Sequence, residues 1–164
     1  MTFRHLFASP IGLLYMKEEN GFITELSLLE AAKPPGSDKP CPPPSTISGP
    51  ETELSKRTQE QLAQYFSGKR KSFELPILYR GTPFRQRVWD ALCTIPYGQT
   101  RSYQDIAGLI GSPKAVRAVG QANHDNPLLI LVPCHRVIRK NGDIHGYACG
   151  DAVKEFLLKL EGAL

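Results

Sequence analysis

The sequence predicts an α+β protein: a small N-terminal antiparallel sheet with one helix, followed by a C-terminal helix-turn-helix, winged-helix-like region. Three observations carry this. Short alternating apolar runs crowd residues 1–28, the pattern of half-buried strands. From residue 82 onward the texture changes to brief helical segments with a cap or a Gly at most boundaries. Between them, residues 31–49 are rich in Pro and small polar residues, a composition that sustains neither helix nor strand. The expected domains are residues 1–80, containing the excursion 31–49, and residues 81–164.

In chain order, residues 3–7, 13–17 and 22–28 have strand composition. Glu18-Glu19-Asn20-Gly21 supplies the tight turn between the second and third, because Asn-Gly tolerates positive φ. The excursion reads either as a plain linker or as a proline-rich ligand for a partner. Residues 50–68 read as a helix, with Pro50 in the first turn, Glu51 and Glu53 at its positive dipole end, and Gly68 at the C-terminal cap. Leu54, Thr58, Leu62, Tyr65 and Phe66 fall on one face and predict its buried stripe. Residues 73–78 predict one more strand.

Thr82 and Pro83 open a helix that should bury Phe84, Val88, Trp89, Leu92 and Ile95, and Pro96-Tyr97-Gly98 breaks it. Ser102 with Asp105 is a capping-box variant before a helix over 103–110, closed by Gly111. Ser112-Pro113 starts another over 113–122. Two brief helices joined by a Gly-Ser turn outline a helix-turn-helix. In the second, Lys114, Arg117 and Gln121 share the outer face, while Ala115, Ala118, Gly120 and Ala122 keep the profile low. Small residues suit either a tight helix–helix contact or close approach to a nucleic acid, and the basic face beside them favours the second. Downstream, residues 139–143 make a hairpin turn around Asn141-Gly142, and 146–150 a loop. Asp151 should cap a last helix that buries Val153, Phe156, Leu157 and Leu160 and ends at Glu161.

The 164-residue chain carries a net charge of +4 and four Cys, at 41, 93, 134 and 149. Its positive excess sits in residues 82–123, five Lys/Arg against two Asp/Glu, which fits a polyanionic partner without requiring one. No apolar run approaches the length of a membrane span, and the N-terminus lacks a signal-peptide core. The irregularly spaced Cys therefore read as reduced thiols rather than a disulfide framework, and the expected location is the cytoplasm, or the nucleus in a eukaryote. Neither a CxxC nor a Cys/His cluster suggests a metal.

The chain is organised around residues 128–138, Leu-Leu-Ile-Leu-Val-Pro-Cys-His-Arg-Val-Ile. The five aliphatic residues read as a fully buried strand that Pro133 ends. Beyond it stand a thiol, an imidazole and a guanidinium. A thiol in a half-exposed cationic setting can have its pKa lowered, and the thiolate is the nucleophile. The plain alternative is a structural Cys134 beside a surface His and Arg.

Pro133-Cys134-His135-Arg136-Val137 resembles the active-site signature of the DNA alkyltransferases that repair guanine alkylated at O6. Pro96-Tyr97-Gly98-Gln99-Thr100 with Ser102-Tyr103, Arg117-Ala118-Val119-Gly120, and Asn126-Pro127 agree with it. So do Gly146-Tyr147, Lys154-Glu155-Phe156-Leu157-Leu158 and Glu161-Gly162. The resemblance runs continuously over residues 82–162 and is loose before them.

It implies Cys134 as nucleophile, His135 as its base acting directly or through a water, and Glu161 orienting the imidazole. Tyr103 would donate to the departing guanine, and Asn126 would hold the turn before the strand. Arg117, Lys114, Ala118, Gln121, Ser102 and Arg136 would contact double-stranded DNA from the minor groove, Arg117 filling the space of a flipped nucleotide. Tyr147, Ala148 and Cys149 would line the alkyl pocket. Cys149 stands where the family usually has Gly, so it should either narrow that pocket or point to solvent and stiffen the loop. No cofactor, metal, membrane or obligate protein partner is expected, although some family members carry a structural zinc in the N-terminal half. Two rivals remain: a DNA-binding lesion sensor without chemistry, against which Cys134 speaks, and a cysteine hydrolase, for which no other substrate pocket is recognisable. Turnover separates all three.

Overall fold

The computed structural model describes residues 1–31 and 50–164. The excursion expected over 31–49, from residue 32 onward and with Cys41 in it, lies outside the described residues. These fall into two compact units, Met1–Leu78 and Tyr79–Leu164.

The first unit holds an antiparallel sheet in the order β1 (Thr2–Ser9), β2 (Gly12–Glu19), β3 (Phe22–Ala31). Asn20 and Gly21 join β2 to β3 with φ of 50° and 83°, the paired positive values that a two-residue type I′ hairpin turn requires. Leu14, Met16, Ile23 and Leu26 of β2 and β3 are buried, and the helix α1 (Glu53–Phe66) packs on β1. The helix starts later than expected. Thr52 is its N-cap, accepting from the Ser55 backbone N–H while the Ser55 hydroxyl accepts from Thr52 N. A reciprocal capping box satisfies two orphan donors at once, which a Pro in the first turn cannot do, so Pro50 and Glu51 lie outside. At the other end Gly68 takes φ 78°, with Lys69 N–H donating to Gln64 O at 2.8 Å and Gly68 N–H to Tyr65 O at 3.0 Å. This is a Schellman closure. Leu54, Thr58, Leu62 and Tyr65 are buried; Phe66 is only half-buried. Residues 73–78 are not the expected strand. They make a single bridge, Ile77 to Ile23, because Pro76 has no N–H with which to extend a ladder.

The second unit is α2 (Pro83–Leu92), β4 (Arg101–Ser102), α3 (Tyr103–Leu109), α4 (Val116–His124), a 3₁₀ turn (Cys134–Arg136), β5 (Val137–Ile138) and α5 (Asp151–Leu160). Thr82 caps α2 with Pro83 at its first position, as the sequence indicates. Of the residues expected inside, Val88, Trp89, Leu92 and Ile95 are buried and Phe84 is half-buried. Trp89 Nε1 donates to Ala122 O at 2.9 Å, pinning α2 to α4. Ser102 and Asp105 form the capping box of α3, and Gly111 (φ 76°) closes it. Helix α4 begins at Val116 rather than at 113. Its N-cap, Ala115, offers no side-chain hydrogen bond, so nothing holds Pro113 and Lys114 in the helix. β4 and β5 pair in parallel, Arg101 with Val137 and Ser102 with Ile138. This joins the start of the helix pair to the segment that follows Cys134.

Two further corrections concern α5. Asp151 is its first residue, not its cap; the cap position is Gly150, and the Asp151 carboxylate instead accepts from the N–H groups of Gly146 and Tyr147. The buried face is Val153, Lys154, Leu157 and Leu158. Phe156 is exposed and Leu160 half-buried, so the stripe is rotated about one residue from the expected one and takes a lysine inside.

Candidate active site

The apolar run 128–132 is not a strand. Leu128, Leu129, Ile130 and Val132 are buried, but the run folds as consecutive turns, with Leu131 N–H donating to Leu129 O at 2.8 Å and Val132 N–H to Leu128 O at 2.9 Å. Ile130 sits at φ 69°, a conformation that a β-branched residue adopts only when its surroundings enforce it. Buried backbone outside a ladder still needs partners, and the Asn126 side chain supplies them. Its amide N–H donates to Val132 O at 2.8 Å and Leu128 O at 3.3 Å, and its carbonyl accepts from Leu128 N–H at 3.0 Å. From α4, Asn123 donates to Cys134 O at 3.3 Å. The loop is thus fastened on both sides of the thiol.

Cys134 opens the 3₁₀ turn and is buried, not half-exposed as expected. Burial holds its thiol above the ordinary cysteine range. Hydrogen bonds from the Tyr147 and Asn126 side chains and the charge of Lys154 pull the other way without prevailing. The Tyr147 hydroxyl lies 3.2 Å from Sγ. Lys154 is itself buried. It donates to Val137 O at 2.6 Å, stands 5.4 Å over the Tyr147 ring, and has its pKa lowered by burial to about 8.

His135 is wholly buried. Its Nε2 lies 2.8 Å from Glu161 Oε1, while Nδ1 has no hydrogen-bond partner among the described residues. Burial, and then the charges of Arg136 and Lys154, hold the imidazole below its ordinary pKa against the pull of Glu161, so it is a neutral base at pH 7. Arg136, expected at the DNA surface, is buried beside it. Its guanidinium grips Glu161 through Nε and Nη2, both at 2.9 Å, and donates from Nη1 to Ile95 O at 2.7 Å. With those donors engaged it is not a surface contact. Gly98 permits the close packing here: it takes φ 79°, and a Cβ there would meet Glu161 O at 3.0 Å.

Tyr103 begins α3 and lines an open cavity of about 480 Å³ with Gln104, Val116, Arg117, Gly120 and the basic side chains Arg139, Lys140 and His145. Burial and the nearby Cys134 raise its phenol pKa. A Cβ on Gly120 would stand 3.9 Å from the Tyr103 ring, so larger side chains there would compete with the ring for space. Arg117 is exposed and makes no hydrogen bond or ion pair among the described residues. Lys114 and Ala118 are exposed, and Gln121 is tied to Asp125 at 3.0 Å. Ser102 serves the α3 cap. Tyr147, Ala148 and Cys149 do not line this cavity: Tyr147 turns inward to Sγ, Ala148 is exposed and Cys149 half-exposed. Sequence reasoning missed Lys154, which reads as a solvent-facing helix residue, and the basic rim of Arg139, Lys140 and His145, whose side chains flank the Asn141-Gly142 turn, a signal of conformation and not of binding.

Among the described residues no helix is long and apolar enough to cross a membrane. The family model for the DNA-binding domain of 6-O-methylguanine DNA methyltransferase matches residues 83–163. The constitutive methylated-DNA–protein-cysteine methyltransferase of Bacillus subtilis is 47% identical over 93% of this chain and 91% of its own. That of Methanosarcina acetivorans is 44% identical over 96% and 97%. The crystal structure of Mycobacterium tuberculosis OGT in complex with DNA superposes with a TM-score of 0.84 at 42% identity, covering 98% of this chain and 93% of that one. The chain belongs to the methylated-DNA–protein-cysteine methyltransferase family.

Proposed function

We propose that Cys134 is the alkyl acceptor, with His135 as its base, Glu161 as the group that orients the imidazole, and Tyr103 as donor to the leaving guanine. As a family member the chain repairs DNA by moving an alkyl group from the nucleic acid onto one of its own cysteines. The observation that carries the residue assignment is the buried row Cys134, His135, Glu161, in which the imidazole is held at Nε2 and open at Nδ1.

The thiol proton passes to His135 Nδ1, directly or through one water, and Sγ attacks the alkyl carbon in line with the C–O6 bond. The S–C bond forms as C–O6 breaks, and the electron pair stays on guanine, which takes the Tyr103 hydroxyl proton. The imidazolium proton restores the phenol through solvent. The product is a thioether, a poor leaving group on an unactivated carbon, so each molecule reacts once.

A base stacked in a duplex cannot present O6 to a buried sulfur, so the nucleotide must leave the stack. The cavity beside Tyr103, with Arg117 on its wall and Arg139 and Lys140 at its rim, supports a flipped base approached from the minor groove by the low-profile α4. Intact mass and peptide mapping after incubation with a duplex carrying O6-methylguanine test the reading. One methyl per molecule on Cys134, and none in Cys134→Ala, is expected. Several products per molecule, or the methyl on Cys41, Cys93 or Cys149, would contradict it.

A further inference from the structure

Arg136 is the one charged side chain of the Pro-Cys-His-Arg sequence that has no part in the chemistry above, yet it is among the most heavily bonded groups in the second unit. Its two hydrogen bonds to Glu161 form a parallel fork, its third goes to Ile95 O, and its Cζ lies 5.8 Å from the Tyr97 ring centroid. Tyr97 in turn donates to Leu160 O at 3.3 Å, one residue before Glu161. The whole end of α5 is therefore gripped around a single carboxylate.

We propose that Arg136 is a positioning residue for alkyl transfer: it fixes Glu161 as a carboxylate and thereby fixes His135 as the Nε2–H tautomer, with Nδ1 free to accept the thiol proton. This rests on the assignment of His135 as the base. A guanidinium is permanently charged, and a carboxylate that accepts both arms of its fork is ionised and acceptor-only. Glu161 Oε1 lies 2.8 Å from His135 Nε2, so that nitrogen must carry the hydrogen. A neutral imidazole has only one N–H, which leaves a lone pair at Nδ1. Nδ1 is also the buried side-chain nitrogen without a partner among the described residues.

The electrostatic consequence has a definite sign. The charged groups acting on the imidazole are Lys154 from α5, Glu161 at its end, and Arg136 from the ring's own turn. An anion alone would favour imidazolium and so remove the base near neutral pH. Arg136 cancels that anion. Without it the His135 pKa rises, the base form appears only at higher pH, and transfer slows about tenfold for each unit of rise at a fixed pH below it.

The test uses the intact protein with ¹⁵N-labelled histidine and, for rates, free O6-benzylguanine, which requires no DNA binding. In the wild type the His135 nitrogens should report a neutral Nε2–H ring from about pH 7 upward, in the range where small shifts decide a histidine's charge. An Nδ1–H ring, or imidazolium in that range, would overturn the proposal even if no variant folds. Arg136→Met should titrate His135 at a higher pH than the wild type, with the rate profile displaced upward by the same amount. Arg136→Lys, which keeps the charge, should stay close to the wild type. A His135 titration in Arg136→Met that coincides with the wild type would also overturn it. If the titration moves and the rate profile does not, Arg136 controls the imidazole but His135 is not the base, and the mechanism proposed above fails instead.

Discussion

The loop that carries Cys134 and the α3–α4 pair beside it are built by opposite means. In the loop nearly every group is buried, and polar partners converge from separate elements: Asn123 from α4, Asn126 at the loop's own start, Lys154 and Glu161 from α5 and its end. A β-branched residue is held at positive φ, and no ladder is present to hold it. The outer face of α4 is sparse by contrast. Its first turn has no side-chain cap, Arg117 has no protein partner among the described residues, and Ala118 and Gly120 leave little side chain at all. Buried networks lock geometry because any unmade bond is costly. Exposed cations on a slender helix suit a polyanion whose position differs from one encounter to the next. The difference teaches that reactivity and recognition are carried by regions with different sensitivities, so substitutions should separate them.

The largest effect is expected for Asn126→Ala. It leaves the buried Leu128 N–H without its partner, at about 1–3 kcal/mol, and takes one of two hydrogen bonds from each of the Leu128 and Val132 carbonyls. It also removes a hydrogen bond that favours the thiolate. Thermal or urea unfolding should show the stability loss, and transfer should fall equally on free base and duplex. A stable variant with full activity would mean that the turns hold themselves.

How much of this was legible in the sequence depends on the reach of the interactions. The Asn20-Gly21 turn, the Thr82 and Ser102–Asp105 caps and the Gly68 and Gly111 closures depend on residues within a few positions, and the structure has them where the sequence indicates. The run 128–132 departs from the expected strand because five aliphatic residues mark burial but not conformation; the residue that replaces the strand's ladder, Asn126, lies outside the run. Arg136 was misplaced because its partner is 25 residues away. Lys154 was overlooked because a lysine on an amphipathic helix is ordinarily in water.

An intermediate effect is expected for Lys154→Met. Its charge lowers the Cys134 pKa, so its removal should raise that pKa and slow transfer about tenfold per unit of rise on both substrates. Iodoacetamide alkylation of Cys134 against pH reads the shift directly. Lys154 itself loses its proton as pH rises through about 8, so wild type and variant should converge above that pH. Divergence that persists to higher pH would show that its role is not electrostatic.

The smallest effect is expected for Lys114→Ala, a change to an exposed side chain before α4. Folding stability should stay within about 0.5 kcal/mol. The slope of log affinity for duplex DNA against log salt should fall by about one. An unchanged slope would remove Lys114 from the DNA-facing surface.

The division itself is tested most directly by Arg117→Ala, assayed for transfer from O6-methylguanine in a duplex and from free O6-benzylguanine under the same conditions. The account predicts a large loss on the duplex and almost none on the free base, because only the duplex demands that a nucleotide be extruded and its place filled. Equal losses on both substrates would show that Arg117 serves the chemistry, and that the exposed helix and the buried loop do not divide the work.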